Sequence, residues 1–293
     1  MEPVAYCRAK IAPEGSAAYY ALLFAPASVR DGLAALAAYR AEILEIPREV
    51  SDAGVGAVKL GWWQEELARL AAGKPRHPIT QALLPALRDE GLETDGLAEV
   101  IEASRMDLEY GRYPTLRELT VYCHRAGGAI ADLAWRLGGS RGTDAAPFAH
   151  DLAMGLELTR MLRHLRRDLA AGRVYIPEDE LTASGVDVDT LLSDALPGAG
   201  HELLERQAQR ARRFLDSAIE RLPASARGEQ LYGLILAVLY RELLERIGAD
   251  GYAVTARRVH LTPLRKLWLA WRTARRPRRV SPLPGRSRHG RDD

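Results

Sequence analysis

The stretch Gly155-Leu156-Glu157-Leu158-Thr159-Arg160-Met161-Leu162-Arg163-His164-Leu165-Arg166-Arg167-Asp168 is followed four residues later by Gly172-Arg173-Val174-Tyr175-Ile176-Pro177. Leucine, arginine, methionine and glutamate all favour helices, so a long helix is expected from about 148 to 168, stopping before Gly172. A glycine and a proline then bracket a short extended piece. Taken alone, that piece reads as a connector between helices.

The same grammar runs through the chain. Leu60, Trp63, Leu67 and Leu70 recur at steps of three and four and line one helical face, which Gly73-Lys74-Pro75 terminates. Pro26-Ala27-Ser28 precedes an apolar run through Leu33, Leu36 and Ala37, and further helices are expected over about 115–137, 199–222 and 230–247. Val, Ile, Phe and Thr are sparse and never alternate over the length of a strand. No repeat and no linker divides the body. The expectation is one all-α domain, with a cavity between helices as the default functional site.

Composition agrees. The chain has 293 residues, 47% apolar and 27% charged, a soluble globular balance that excludes wholesale disorder. No apolar run approaches the roughly 18 residues of a membrane span. Met1 to Lys10 carries Glu2, Arg8 and Lys10 and does not read as a signal peptide. Cys7 and Cys123 form neither a disulfide framework nor a metal spacing, which fits a reduced cytoplasmic compartment. The formal net charge of +2 is unevenly spread: Arg272 to Asp293 holds eight arginines and two aspartates, leaving −4 on the rest. We therefore expect a helical body over 1–272 and a basic, disordered tail over 273–293. With no aromatic residue after Trp271, the tail has nothing to stack on bases, so nucleic acid is not expected. Peripheral contact with the inner face of a membrane is the better match.

Several motifs combine into a resemblance. Gly15-Ser16, Tyr19-Tyr20 and Arg30 come first, then Lys59-Leu60-Gly61-Trp62-Trp63-Gln64-Glu65-Glu66-Leu67, then the two segments quoted above, then Leu261-Thr262-Pro263-Leu264-Arg265-Lys266-Leu267-Trp268. In this order and spacing, from about Tyr6 to Arg272, they resemble the squalene/phytoene synthase family, most closely its bacterial squalene-synthase-like members. The resemblance implies a single-domain isoprenoid-synthase fold with a central cavity between antiparallel helices. It also implies prenyl diphosphate substrates, with Ser16, Tyr20, Arg30, Arg163, Arg173 and Tyr175 as substrate-binding candidates. Asp107 and Glu109 match a stretch near that cavity.

The chemistry of that family needs acid. Ionising a prenyl diphosphate releases a highly charged leaving group, which Mg²⁺ stabilises when carboxylates converge on it from two helices. The resemblance puts the first aspartate-rich segment at 44–48, where this chain has Leu44, Glu45, Ile46, Pro47 and Arg48. The second falls on His164 and Asp168. Two of five carboxylates survive, Glu45 and Asp168, and these are the metal and catalytic candidates of an active enzyme. Leu44, Arg48 and His164 are degenerate positions. Pro47 is expected to kink the first helix, and Arg48 to pair with Asp168 as a plug in place of the metal. Glu42, Glu45 and Glu49 share a helical face and could form a shifted metal site, although a solvated acidic face is the commoner meaning of such a run. A metal-free phosphate binder would draw on Arg48, Arg160, Arg163, Arg166, Arg167 and Arg173. His124, Trp62 and Trp63 read as surface or core residues.

These observations favour a catalytically degenerate relative that binds an isoprenoid or phosphate-bearing ligand, or a partner synthase or assembly client, with no cofactor. The Tyr39-Arg40-Ala41-Glu42 run faintly resembles family members that act as assembly factors for respiratory complexes. The competing expectation is an active, Mg²⁺-dependent prenyltransferase joining two farnesyl diphosphates head-to-head in squalene, hopanoid or carotenoid biosynthesis.

Overall fold

The computed structural model describes residues 2–139, 145–193, 196, 198–256 and 259–281. Its elements are α1 (Pro3–Ile11), α2 (Ala17–Phe24), α3 (Arg30–Glu49), α4 (Ala53–Ala71), α5 (Pro78–Glu90), α6 (Asp95–Glu109), α7 (Leu116–Cys123), α8 (Ala129–Leu137), α9 (Ala145–Arg163), α10 (Leu165–Ala170), α11 (Glu178–Ser184), α12 (Val188–Leu192), α13 (Gly198–Arg221), α14 (Leu231–Ala249) and α15 (Pro263–Arg275). Among the described residues the sole β pairing is an isolated bridge between Arg112 and Val174.

Two layers of helices enclose the core. On one side α3 packs on α1, α5, α6 and α8; on the other, α9 lies along α13 and touches α14 and α8. Gly155 permits the α9–α13 approach: a Cβ there would stand 2.5 Å from the Leu215 side chain and 3.1 Å from its backbone nitrogen. The core is apolar, with Tyr39, Leu36, Ile43, Leu97, Ile101, Met154 and Phe148 fully buried.

Local irregularities set the site. The helical run expected over 115–137 is continuous but contains a π-helical turn, His124–Gly128, in which the Ala129 N–H donates to the His124 carbonyl. Such turns hold one extra residue and reorient the carbonyls around them. The long helix expected over 148–168 bends at His164 (φ −107°, ψ 14°) and resumes as α10. Gly172, at φ +76°, then closes α10, with the Arg173 N–H on the Asp168 carbonyl at 2.8 Å. Val174 donates to the Gly111 carbonyl at 2.7 Å, so the extended connector lies against residues 111–113.

Pro47 is inside α3, two residues from its end. Proline has no N–H for the carbonyl four residues back. That carbonyl, on buried Ile43, instead accepts from the Ser104 hydroxyl on α6 at 2.9 Å. The expected kink is thus absorbed near a helix end and repaired from a neighbouring helix.

The boundary expected at 272 is displaced. α15 runs to Arg275, Thr273 is buried, and a 3₁₀ turn follows over Pro277–Arg279. Buried Arg227 holds this end by donating to the carbonyls of Pro277, Arg278 and Val280. Sequence periodicity missed it because backbone carbonyls, not apolar side chains, do the anchoring. The remainder of the expected tail, 282–293, lies outside the described residues.

Ser104→Ala is expected to leave the Ile43 carbonyl unpaired and to cost about 1–3 kcal/mol, read from urea unfolding midpoints. In a Pro47→Ala background the restored N–H reaches the same carbonyl, so the Ser104→Ala penalty shrinks. Equal penalties in both backgrounds would show that the two sites are uncoupled.

Candidate functional site

A cavity of about 430 Å³ opens between α3, α8, α9, α14 and the segment before α2. Small residues create the space: Ala37, Ala41, Ala131, Ala134, Ala153, Gly127 and Gly233 all line it. Leu33, Ile130, Trp135, Phe148, Leu152, Leu156 and Leu236 make most of it apolar, within the usual size range of a small-molecule pocket. Its polar lining includes Lys10, Arg40, Glu157 and Arg160. Trp135 lines the cavity, and its buried indole nitrogen has no hydrogen-bond acceptor among the described residues. A second, more polar cleft, near the π turn and lined by His124, Asp132, Arg136 and His150, shares no residue with the first.

Glu157 is the centre of the charged end. It is 4% exposed and receives two arginines, Arg40 from α3 and Arg160 from its own helix at 2.9 Å. The same Arg40 donates through Nε to the Ala126 carbonyl of the π turn at 2.7 Å. Gly127 leaves room for this contact, since a Cβ there would meet Glu157 Oε1 at 3.3 Å. Burial alone would raise the Glu157 pKa; the charges of Arg40 and Arg160 outweigh it and hold the carboxyl below its ordinary value.

Arg160 also approaches Asp168, at 3.7 Å, and lies over the Tyr175 ring at 5.4 Å. Asp168 is 2% exposed and takes a second guanidinium from Arg167 at 3.0 Å. Beyond it, buried Asp107 accepts from Tyr175 at 2.7 Å and Tyr122 at 2.9 Å. Burial raises the Asp107 pKa, against the two hydroxyls and the charges of Arg160 and Arg48.

Several sequence expectations change here. Arg48 does not pair with Asp168; it donates to the Leu44 carbonyl at 3.0 Å, and Arg160 and Arg167 occupy Asp168 instead. Arg160 can do so because the bend at His164 falls between it and Asp168. Glu45 does not face the cavity. Its side chain is 49% exposed and bonds Lys10, as does Glu42. Burial disfavours the Lys10 charge, but the two carboxylates more than offset this and raise its pKa. Glu49 instead lies near Lys59 at 3.5 Å. The acidic residues of α3 are therefore engaged by lysines, Glu42 and Glu45 by half-buried Lys10 and Glu49 by exposed Lys59.

The substrate candidates are scattered. Ser16 lines the cavity while capping α2 through the Tyr19 N–H. Tyr20 is buried in a separate cluster with Ile235, Leu239 and Leu269. Arg30 binds the carbonyls of Leu23 and Ala25 at the end of α2. Arg173 donates to the Pro47 carbonyl, and Tyr175 to Asp107. Arg163 closes α9 near Tyr240, a cavity residue. Leu44 is buried and Glu109 exposed. The Arg40–Glu157 pair was not singled out from sequence, because its partners are 117 residues apart.

Glu45 and Asp168 do not fit a magnesium cluster. One is on the surface with a lysine, the other is buried between guanidiniums. Among the described residues no group of three His, Cys, Asp or Glu side chains could share an ion. Hard divalent cations need free carboxylate oxygens; both Glu157 oxygens and Asp168 Oδ1 accept from guanidiniums, while buried Asp168 Oδ2 has no hydrogen bond among the described residues and only Arg160 at 3.7 Å.

Glu157→Gln is expected to strip Arg40 of its carboxylate, to leave Arg160 only Asp168 at 3.7 Å, and to cost on the order of 3 kcal/mol at pH 7. The sign with pH follows from the lowered pKa. The Glu157 contribution is complete above its unfolded value of about 4.5 and is lost as pH falls through the folded one. Denaturation midpoints of the native chain should fall on acidification through that window, and those of Glu157→Gln should fall less. Equal stability of the two proteins at pH 7 would contradict the assignment.

Comparison with known proteins agrees with this architecture. Residues 11–265 match the family model for squalene/phytoene synthase. The 15-cis-phytoene synthase of Synechococcus elongatus is 28% identical over 276 residues, 89% of each chain. The corresponding Synechocystis protein is 27% identical over 90% of this chain and 83% of its own. A crystal structure of a dehydrosqualene synthase with ligand superimposes with a TM-score of 0.83 at 21% identity, covering 95% of this chain and 97% of the other. A squalene synthase from Alicyclobacillus acidocaldarius reaches 0.72 at 23% identity, over 85% and 94%. With the fold, the motif order and 255 consecutive residues of the family model in agreement, the chain belongs to the squalene/phytoene synthase family.

Proposed function

We propose that this chain uses the synthase fold to bind an isoprenoid-type amphiphile with an anionic, phosphate-bearing head, without magnesium and without joining two substrates. The observation that carries the reading is the occupied state of the buried acids: Glu157 and Asp168 are held by arginine. An apolar tail suits the cavity between α3, α8, α9 and α14. An oxyanion suits its charged end, where Arg160 lines the cavity and its buried Nη2 has no hydrogen-bond acceptor among the described residues. Guanidinium forks recognise phosphate through charge-assisted pairs and need no metal. The Trp135 indole N–H offers a further donor to a ligand oxygen.

A second reading is an active head-to-head prenyltransferase. Its support is the similarity to proteins named 15-cis-phytoene synthase over nine-tenths of the chain. The arginine-held acids weigh against it.

Calorimetry with farnesyl diphosphate separates the two. The expected result is binding in EDTA, unchanged by Mg²⁺, with no diphosphate released. Arg160→Gln, confirmed folded by circular dichroism, should weaken binding by about tenfold or more, the worth of a charge-assisted hydrogen bond. Mg²⁺-dependent diphosphate release that Asp168→Ala abolishes would establish the second reading. Absence of binding in either condition would overturn the first.

A further inference from the structure

We propose that α15 is a docking face for a membrane surface rich in anionic lipid. The helix is apolar on two opposite sides. Leu269, Ala270 and Thr273 are buried against α2 and α14. Diametrically opposite, Leu264, Leu267, Trp268 and Trp271 form an i, i+3, i+4, i+7 stripe, exposed by 79, 39, 42 and 48% respectively. A helix that only covered the core would present polar residues there.

Charge identifies the occupant. Residues 263–281 contain seven basic side chains and no acid; one of the seven, Arg265, pairs with Glu242 of α14 at 2.7 Å. Arg265 and Arg272 lie over the Trp268 ring at 4.9 and 5.2 Å, and Arg275 over Trp271 at 5.7 Å. Arg276, Arg278 and Arg279 continue the exposed cation row. Tryptophan prefers the headgroup layer, where its apolar ring and its N–H are both accommodated. A helix lying in that layer combines an apolar stripe with flanking arginines, and anionic lipid draws in each nearby cation. A membrane-crossing role is not implied: among the described residues no helix is long and apolar enough to span a bilayer.

The platform is rigid. Lys266 donates to the Gly15 carbonyl, and Arg227 pins the end of the helix through the carbonyls of Pro277 and Val280. Gly15 adjoins Ser16, a lining residue of the cavity. Docking through α15 would therefore bring the segment before α2 close to the lipid surface. The inference does not depend on what the cavity holds.

The test is co-sedimentation of the full chain with vesicles of phosphatidylcholine alone or with about one-third phosphatidylglycerol. The expected result is binding to the anionic vesicles only, weakened by salt, with a blue shift of tryptophan emission. Trp268→Ser with Trp271→Ser should reduce the partition coefficient by about tenfold or more while leaving circular dichroism and the melting curve unchanged. Arg286, Arg288 and Arg291, changed together to Gln, should reduce it less. Loss of binding in that tail variant with full binding in the tryptophan variant would overturn the proposal, as would failure to bind anionic vesicles. A dimer in sedimentation velocity that the tryptophan variant dissociates, without vesicle binding, would assign the face to a second copy and also overturn it.

Discussion

A buried carboxylate held between two guanidiniums organises the interior. Glu157 joins α9 to α3 through Arg40, and Arg40 in turn fastens the π turn through the Ala126 carbonyl. Arg160 carries the linkage on toward Asp168 at the mouth of the Gly-Arg-Val-Tyr connector. Burying such charges is expensive unless each is paired and its remaining donors are satisfied. The three helices that frame the charged end are therefore not independent: moving one strands a charge on another. Both oxygens of the Glu157 carboxylate are thereby committed to arginines.

The cavity beside this network is made by what is missing from its walls. Alanines and glycines on α3, α8, α9 and α14 leave space where leucines would close the core. The charged network closes one end of that space. Apolar volume and cationic end then sit side by side, a combination suited to a ligand with a greasy tail and an anionic head. On the outer surface α15 repeats the pairing of apolar and cationic groups, there facing outward from the body.

Much of this was legible in the chain. Helical periodicity located α4, α13 and α14 to within a few residues, and the order of motifs from Gly15 to Trp268 identified the family. Glu45 illustrates the limit. Its position matches a family acid, yet one side of α3 is covered by α1, whose Lys10 captures it. Arg48 failed as a partner for Asp168 for a similar reason, because closer arginines on α9 and α10 took the role.

Local composition determined the elements: which residues are helical, and where glycine and proline end them. Those properties depend on neighbours within a turn or two, and a linear sequence displays them. Tertiary structure decided the pairings. Arg40 with Glu157, Ser104 with Ile43 and Arg227 with Val280 bring together residues tens to over a hundred positions apart. No periodicity encodes which distant charge or carbonyl a side chain will meet, because that depends on how whole helices settle against one another.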